Sequence, residues 1–121
     1  MVILLILKEK IYGIDLLAFQ SIINDDISIG PETRRNLFLC VKEALNNTYK
    51  HSQAKNIYLK FQKVENIFLL TAEDDGIGFN NEKQKRGNGI ENMQRRMEEI
   101  GGTFHILEIP HGTSLLFKLK V

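Results

Sequence analysis

The spacing of the apolar residues changes along this chain, and those changes constrain the fold more than any other feature. Apolar residues recur at helical spacing over about residues 31–51 and again over 90–100. They alternate with period two over residues 55–62 and 113–121. Residues 67–72 form a continuous apolar run, which is typical of a strand buried in the middle of a sheet. The chain is therefore expected to combine helices and strands.

The final strand pattern is preceded by another at residues 103–107, and a turn around Pro110, His111 and Gly112 predicts that the two form a hairpin. Gly101 and Gly102 are expected to end the helix before it. Because helical and strand patterns are partly segregated, we expect an α+β fold: an antiparallel or mixed sheet with helices on one face.

Size and charge exclude several classes of protein. The chain has 121 residues, enough for one domain, which we expect to span residues 1–121. Its 16 Lys+Arg and 15 Asp+Glu give a net charge of +1, and no basic stripe is present, so nucleic acid is not an expected partner. The single cysteine, Cys40, lies near the apolar side of the first helix and is expected in the core.

The first thirty residues carry the weakest signals. The apolar run over residues 2–7 is too short to span a membrane or to form a signal peptide core. We expect a buried strand or the stub of a cut helix there, and no direct contact with a membrane. Residues 14–23 have the pattern of a short amphipathic helix.

Polar residues that could bind a ligand or take part in a reaction form three clusters. In the first, Glu43, Asn47 and Lys50 follow one another at i, i+4 and i+7, on the face of the long helix that points away from its apolar side. A carboxylate, an amide oxygen and an ammonium group in one row suit a hydrated Mg²⁺ and a phosphate. A solvated helix face is the alternative for this cluster taken alone.

The other two clusters lie in and around a polar segment, residues 73–89, which is expected to be a loop and a functional lid. Asp74 follows the buried strand, and Gly76 and Gly78 allow the backbone to approach a flat ligand closely. An ordinary Asp-Gly turn is the alternative. Gly87 and Gly89 open the next helix, where free backbone N–H groups favour a phosphate. They match neither the Rossmann nor the Walker A pattern.

Together, in this order, the clusters resemble the N box and the two glycine boxes of the GHKL ATPase and kinase superfamily. The motifs are KEALNN at 42–47, KHSQA at 50–54, DDGIGF at 74–79, GNGIENM at 87–93 and the closing Gly112-Thr113. They are most similar to the ATP-binding catalytic domain of bacterial sensor histidine kinases of the nitrate/nitrite-sensor-like subfamily. The resemblance covers residues 31–121 and implies the Bergerat fold, a two-layer α/β sandwich with a mixed, mostly antiparallel sheet.

For the base of ATP, the resemblance implies a role for four residues. Asp74 matches the acid that accepts a hydrogen bond from the adenine amino group. Gly76 and Gly78 match the glycines beside the adenine. Thr113 matches the hydroxyl that supports the contact between the acid and the adenine through water.

For the phosphates, the resemblance implies a role for five residues. Asn47 matches the magnesium-binding asparagine, and Lys50 matches a residue near the phosphates. Glu43 matches the acid that orients or deprotonates the attacking water in ATPase relatives. Gly87 and Gly89 match the phosphate-binding end of the ATP lid.

The resemblance also implies an activity and its partners. We expect a cytoplasmic protein histidine kinase part that binds ATP and Mg²⁺ and transfers the γ-phosphate to a histidine. That histidine would lie on a separate dimerisation segment, and a response regulator would be an indirect partner. A stand-alone serine kinase of the anti-sigma type and a non-catalytic nucleotide-binding module are the alternatives.

Overall fold

The fold is given by a computed structural model that describes residues 2–8, 29–51, 56–76, 88–110 and 112–121. Of residues 2–8, 48–51 and 88 it describes the backbone alone. The short helix expected at 14–23 and the greater part of the expected lid lie outside the described residues.

Two helices and five strands make up the described part. The helices are α1 (Pro31–His51) and α2 (Asn88–Glu99), and the strands are β1 (Val2–Lys8), β2 (Asn56–Val64), β3 (Ile67–Asp74), β4 (Thr103–Ile109) and β5 (Gly112–Lys120). The order confirms the α+β prediction. The expected loop at 73–89 is too long at both ends, because Glu73 and Asp74 belong to β3 and α2 already begins at Asn88.

Both helices begin or end where the local sequence favours it. The carbonyl oxygen of Gly30 accepts the N–H of Arg34 at 3.1 Å, which places Pro31 at the first helical position, where its missing N–H costs nothing. At the end of α2, Gly101 has a φ of 78°. The N–H groups of Gly101 and Gly102 donate to the carbonyl oxygens of Glu98 and Met97 at 3.0 and 2.8 Å. This is a Schellman ending, which glycine favours.

The strands form one sheet in the order β1-β2-β3-β5-β4, and every pairing in the described part is antiparallel. The hairpin expected near the end of the chain is the β4–β5 pair. The first strand resolves the alternatives left open for the N-terminal apolar run: its backbone pairs with β2 from Val2 opposite Gln62 to Lys8 opposite Asn56.

The core lies between one face of the sheet and the two helices. It is formed by alternate strand residues together with the apolar sides of α1 and α2, and its largest buried side chains are Phe61, Phe68, Phe117, Leu37, Leu59, Leu70, Met93 and Met97. Strand β3 is central, as expected, but only alternate side chains are buried. Its other side chains, from Ile67 to Glu73, are half-buried, because the described helices cover one face of the sheet.

The two helices run antiparallel, as their contacts along the interface show. Asn36 donates through Nδ2 to the carbonyl oxygen of Arg96 at 2.9 Å and to Glu99 Oε2 at 3.1 Å. One turn further along α1, Cys40 Sγ donates to the carbonyl oxygen of Met93 at 3.8 Å. Cys40 is fully buried, which confirms its place in the core, and this burial raises the pKa of its thiol to about 12. The C-terminal half of α1 therefore lies beside the start of α2.

Within the part of the chain that the structure describes, neither helix is both long enough and apolar enough to cross a membrane.

Candidate functional site

Asp74 occupies a buried position at the end of the central strand. Its exposed fraction is 6%, as is that of Thr113, which pairs with it across β3 and β5. The N–H of Gly76 donates to Asp74 Oδ1 at 2.9 Å, so the turn after the strand fixes the carboxylate. A buried carboxylate must be hydrogen-bonded to remain charged. The structure thus brings together three predicted residues: Asp74, Gly76 and Thr113.

Gly112, which the sequence analysis placed in the closing motif without a role, has a structural one. It begins β5 with a φ of 118°, a conformation that L side chains rarely adopt. A β-carbon at this position would overlap the backbone carbonyl group of Asp74. Gly112 therefore lets β5 begin in close contact with Asp74, the last residue of β3. Its place in the turn before Thr113 was visible in the sequence, but its positive φ was not.

Asp75 has a structural role that separates it from its neighbour. Its Oδ1 accepts the backbone N–H of Asn56 at 3.0 Å, and its Oδ2 accepts Asn56 Nδ2 at 2.9 Å. Both groups are exposed. Of the two adjacent acids, Asp75 connects the end of β3 to the start of β2 through Asn56, and Asp74 is the one that is buried.

The first and third clusters meet where α1 passes the start of α2. A β-carbon built on Gly89 would lie 2.6 Å from Glu43 Oε1 and 3.4 Å from Glu43 Cδ. Glu43 and Gly89 are both half-buried, so the face of α1 that carries Glu43 is partly covered by α2 rather than fully solvated. The carboxylate lies at the end of α2 that carries the positive partial charge of the helix dipole.

Asn47 lies one turn beyond Glu43 on α1 and is half-buried, whereas its neighbour Asn46 is exposed. The backbone of Lys50 is helical, but its side chain lies outside the described part. Gly78 and Gly87 also lie outside it. The predicted positions of these three residues relative to the site stay predictions.

The donor set at this end of the molecule is sparse in metal ligands. Among the residues described, no group of three or more His, Cys, Asp or Glu side chains is placed to hold a metal ion. The side-chain oxygens of Glu43 and Asn47, both half-buried on α1, are donors of the type that Mg²⁺ takes.

An open cleft of about 530 Å³ lies at the opposite end of the helix pair, lined by Pro31, Glu32, Arg35, Asn36, Arg96 and Glu99. These residues come from the start of α1 and the end of α2, whereas Glu43 and Gly89 come from the other end of the pair. The cleft is therefore separate from the candidate site.

The comparisons with known proteins agree with this arrangement. Residues 32–121 match the family of histidine kinase-, DNA gyrase B-, and HSP90-like ATPases. Because the match covers most of the chain, the chain belongs to this family. The superfamily expected from the sequence is confirmed, and the nitrate/nitrite-sensor-like subfamily stays a prediction.

Similar proteins include staphylococcal sensor proteins. The sensor protein VraS of Staphylococcus haemolyticus is 31% identical over 107 residues, which are 86% of this chain and 31% of VraS. VraS of Staphylococcus epidermidis is 36% identical over 86 residues, 70% of this chain and 25% of its own length. The chain thus spans less than a third of the curated relatives it matches.

Solved structures share the fold at low identity. The histidine kinase domain of a blue-light activated histidine kinase from Erythrobacter litoralis EL346 has a TM-score of 0.68 at 19% identity, over 87% of this chain and 57% of that one. The ATP binding domain of PrrB from Mycobacterium tuberculosis has a TM-score of 0.63 at 23% identity, over 72% of this chain and 68% of that one. These likenesses confirm the predicted fold class.

Proposed function

We propose that this chain is the ATP-binding catalytic part of a sensor histidine kinase. It would bind ATP with Mg²⁺ and present the γ-phosphate to a histidine on a separate dimerisation segment. The observation that carries the proposal is the buried carboxylate of Asp74 at the end of β3, which the Gly76 N–H fixes. In the register of β3 with β5, Asp74 lies opposite Thr113. Family membership and the likeness to sensor proteins support it.

The sheet would bind the adenine. Asp74 would accept a hydrogen bond from the adenine amino group, and Thr113 would support that contact through a water molecule. Gly76 and Gly78 would lie beside the ring, because a residue without a β-carbon lets the backbone approach a flat ligand. This contact would favour adenine over a base that has no amino group at that position, since the buried acceptor would then be left unpaired, which is costly.

The helices would bind the phosphates. The start of α2, with Gly87 and Gly89, offers backbone N–H groups and the positive end of the helix dipole to an anion. Lys50 would add a positive charge. Asn47 would hold Mg²⁺ through its amide oxygen, and when bound this ion would neutralise charge on the phosphate oxygens.

The transfer itself would depend on positioning. The bond between the γ-phosphorus and its bridging oxygen breaks, a phosphorus–nitrogen bond to the acceptor histidine forms, and ADP leaves. The attacking ring nitrogen uses its lone pair, and the ring then loses the proton of its other nitrogen to solvent or to a neighbouring base. Glu43, at the junction of α1 and α2, would orient the attacking group. Phosphoryl transfer needs little more from a protein than positioning and electrostatic stabilisation.

In the cell, we propose a cytoplasmic location, where ATP is available, with the dimerisation segment as the direct partner and a response regulator as the next acceptor. The resemblance in the sequence motifs supports these assignments.

The adenine contact is tested by Asp74→Asn. The change places a possible donor opposite the adenine amino group and removes a charged acceptor, which is worth about 1.5–3 kcal/mol. Calorimetric titration should show ADP affinity falling roughly 10- to 150-fold. Asp75→Asn is the matched control, because Asp75 is the adjacent acid and contacts Asn56. Equal ADP affinity in Asp74→Asn and the parent would refute the role of Asp74.

The kinase activity is tested by supplying an acceptor. Incubated alone with radiolabelled ATP, the chain should bind nucleotide but acquire no stoichiometric label. A dimerisation segment carrying a histidine, added in trans, should become labelled, and the label should be stable in base and labile in acid. Stoichiometric label of that type on this chain alone would overturn the proposal that the acceptor lies elsewhere.

A further inference from the structure

Gly89 is a glycine whose backbone does not require glycine. It lies in the first turn of α2, and its φ is outside the positive range that excludes L side chains. Alanine is a better helix former than glycine at such a position. What glycine supplies here is therefore space rather than conformational freedom.

That space is used by one group. The nearest atoms to a β-carbon at Gly89 all belong to Glu43: Oε1 at 2.6 Å, Cδ at 3.4 Å and Cγ at 3.5 Å. Ordinary contact begins at 3.4 Å, so a methyl group would move the carboxylate oxygen by about 0.8 Å. The displaced atoms are the far end of a flexible side chain, so the fold itself need not shift.

Four other glycines of the described part make the contrast. A β-carbon on Gly30 or Gly101 would meet nothing within 4 Å, and one on Gly112 would meet the rigid backbone of Asp74. One on Gly102 would meet the backbone carbonyl oxygen of Lys118 as well as the core side chain of Met97. At Gly89 the added atom would meet a carboxylate for which we have proposed a chemical role.

We propose that Gly89 is a positioning residue for Glu43. By lacking a side chain, it lets the Glu43 carboxylate lie against the first turn of α2, and this contact sets where the carboxylate stands relative to the phosphates. The inference rests on the proposed function, because it assigns the contact a consequence for turnover. It adds to that function a second use of this glycine, distinct from the backbone contact with phosphate.

The contact is tested without nucleotide. In Gly89→Ala, the side-chain carboxyl ¹³C resonance of Glu43 should shift, whereas that of Glu91, exposed on the same turn of α2, should not. Gly30→Ala, which adds a methyl group in open space, should leave the Glu43 resonance unchanged. An unchanged Glu43 resonance in Gly89→Ala would overturn the proposal.

A double-mutant cycle tests whether Gly89 acts through Glu43. Gly89→Ala should raise the unfolding midpoint more in a Glu43→Ala background than in the parent, because the added methyl group then displaces nothing. The same change of midpoint in both backgrounds would contradict the coupling.

Turnover supplies the functional readout, measured with a histidine-bearing dimerisation segment added in trans as the acceptor. A displacement near 1 Å can cost about a hundredfold in rate, so Gly89→Ala should lower the rate of phosphoryl transfer to that segment at saturating ATP at least tenfold, and by a larger factor than it lowers ADP affinity. Shortening the acid in Gly89→Ala/Glu43→Asp should recover part of the rate. If affinity and rate fall together and the shorter acid recovers nothing, Gly89 acts through its own backbone. Failure of the proposed function would appear separately, as no ADP binding by the parent.

Discussion

The two ends of the candidate site are built by different means. At the end proposed to bind adenine, called the adenine end, the positions of Asp74 and Thr113 are set by the register of two paired strands. One glycine beside them, Gly112, faces rigid backbone. At the end proposed to bind the phosphates, called the phosphate end, Glu43 reaches from one helix to the other, and the glycine that it contacts, Gly89, faces this flexible side chain.

Because of this difference, we expect substitutions at the two ends to affect different properties. A side chain added at the adenine end must distort the sheet, so its cost should appear in stability. A side chain added at the phosphate end moves a carboxylate, so its cost should appear in chemistry. Substitutions that shift one property without the other therefore test the comparison.

The largest effect is expected from Gly112→Ala. The φ of 118° alone costs an L residue about 1–3 kcal/mol, and the overlap with the Asp74 backbone adds strain, so the free energy of unfolding should fall by about 3 kcal/mol or more. Urea unfolding measures it, with Gly89→Ala as the comparison. A loss below about 1 kcal/mol would mean that the sheet end is not rigid.

Asn36→Ala should give the next largest effect, on the packing of α1 against α2, the two helices that carry the phosphate end. Asn36 is buried and donates to Arg96 and Glu99, so its removal leaves acceptors at the end of α2 without their donor. We expect a loss of about 2 kcal/mol in the free energy of unfolding.

The adenine end should not be affected by this change, because strands position it. ADP affinity in Asn36→Ala should therefore stay within about twofold of the parent, whereas Asp74→Asn should lower it at least tenfold. Gln94→Ala, which removes an exposed contact with Glu98, is the control and should alter stability by less than about 0.5 kcal/mol. A large loss of ADP affinity would show that the two ends are not independent.

The elements of this fold were predictable where local signals agree. The start of α1 follows from Pro31, which suits the first helical position, and the end of α2 follows from Gly101 and Gly102. The end of β3 was not predictable from local signals, because Glu73 and Asp74 are polar and look like loop residues. They are strand residues because Ser114 and Thr113 pair with them across a separation that no local pattern reveals.

The site was predictable in its parts but not in its contacts. Residue patterns identified Asp74 and Glu43 as candidates, and the family resemblance added Thr113. Three features could not be predicted, because they depend on distances or angles that arise only once separate elements pack. They are the contact of Glu43 with Gly89, the hydrogen bonds between Asp75 and Asn56, and the positive φ of Gly112.

Asn47→Ala tests the phosphate end directly. Asn47 is half-buried on the face of α1 that carries Glu43. Because Mg²⁺ takes few protein ligands, loss of one should reduce the gain in ATP affinity that Mg²⁺ provides by about tenfold, more than it weakens ADP binding without metal. Titrations with and without Mg²⁺ measure this. The exposed neighbour provides the control, Asn46→Ala. An unchanged effect of Mg²⁺ would refute the metal role of Asn47.

The smallest expected effect concerns the packing beneath the phosphate end, and it appears only at high pH. Burial raises the pKa of the Cys40 thiol from 9.0 to about 12, so between these values the unfolded chain releases a proton that the folded chain keeps. The folded state then binds more protons than the unfolded state, and stability falls as pH rises from about 9 towards 12. At pH 9.5 the loss should be about 0.8 kcal/mol relative to neutral pH.

Urea unfolding of the parent and of Cys40→Ala across this pH range measures the effect. Cys40→Ala should be less stable than the parent at every pH. Its stability should fall less steeply as pH rises, because it lacks the thiol but shares the other titrating groups with the parent. Parallel declines would mean that water reaches Cys40 between the helices, and that the phosphate end rests on a looser helix pair than the contact with Met93 indicates.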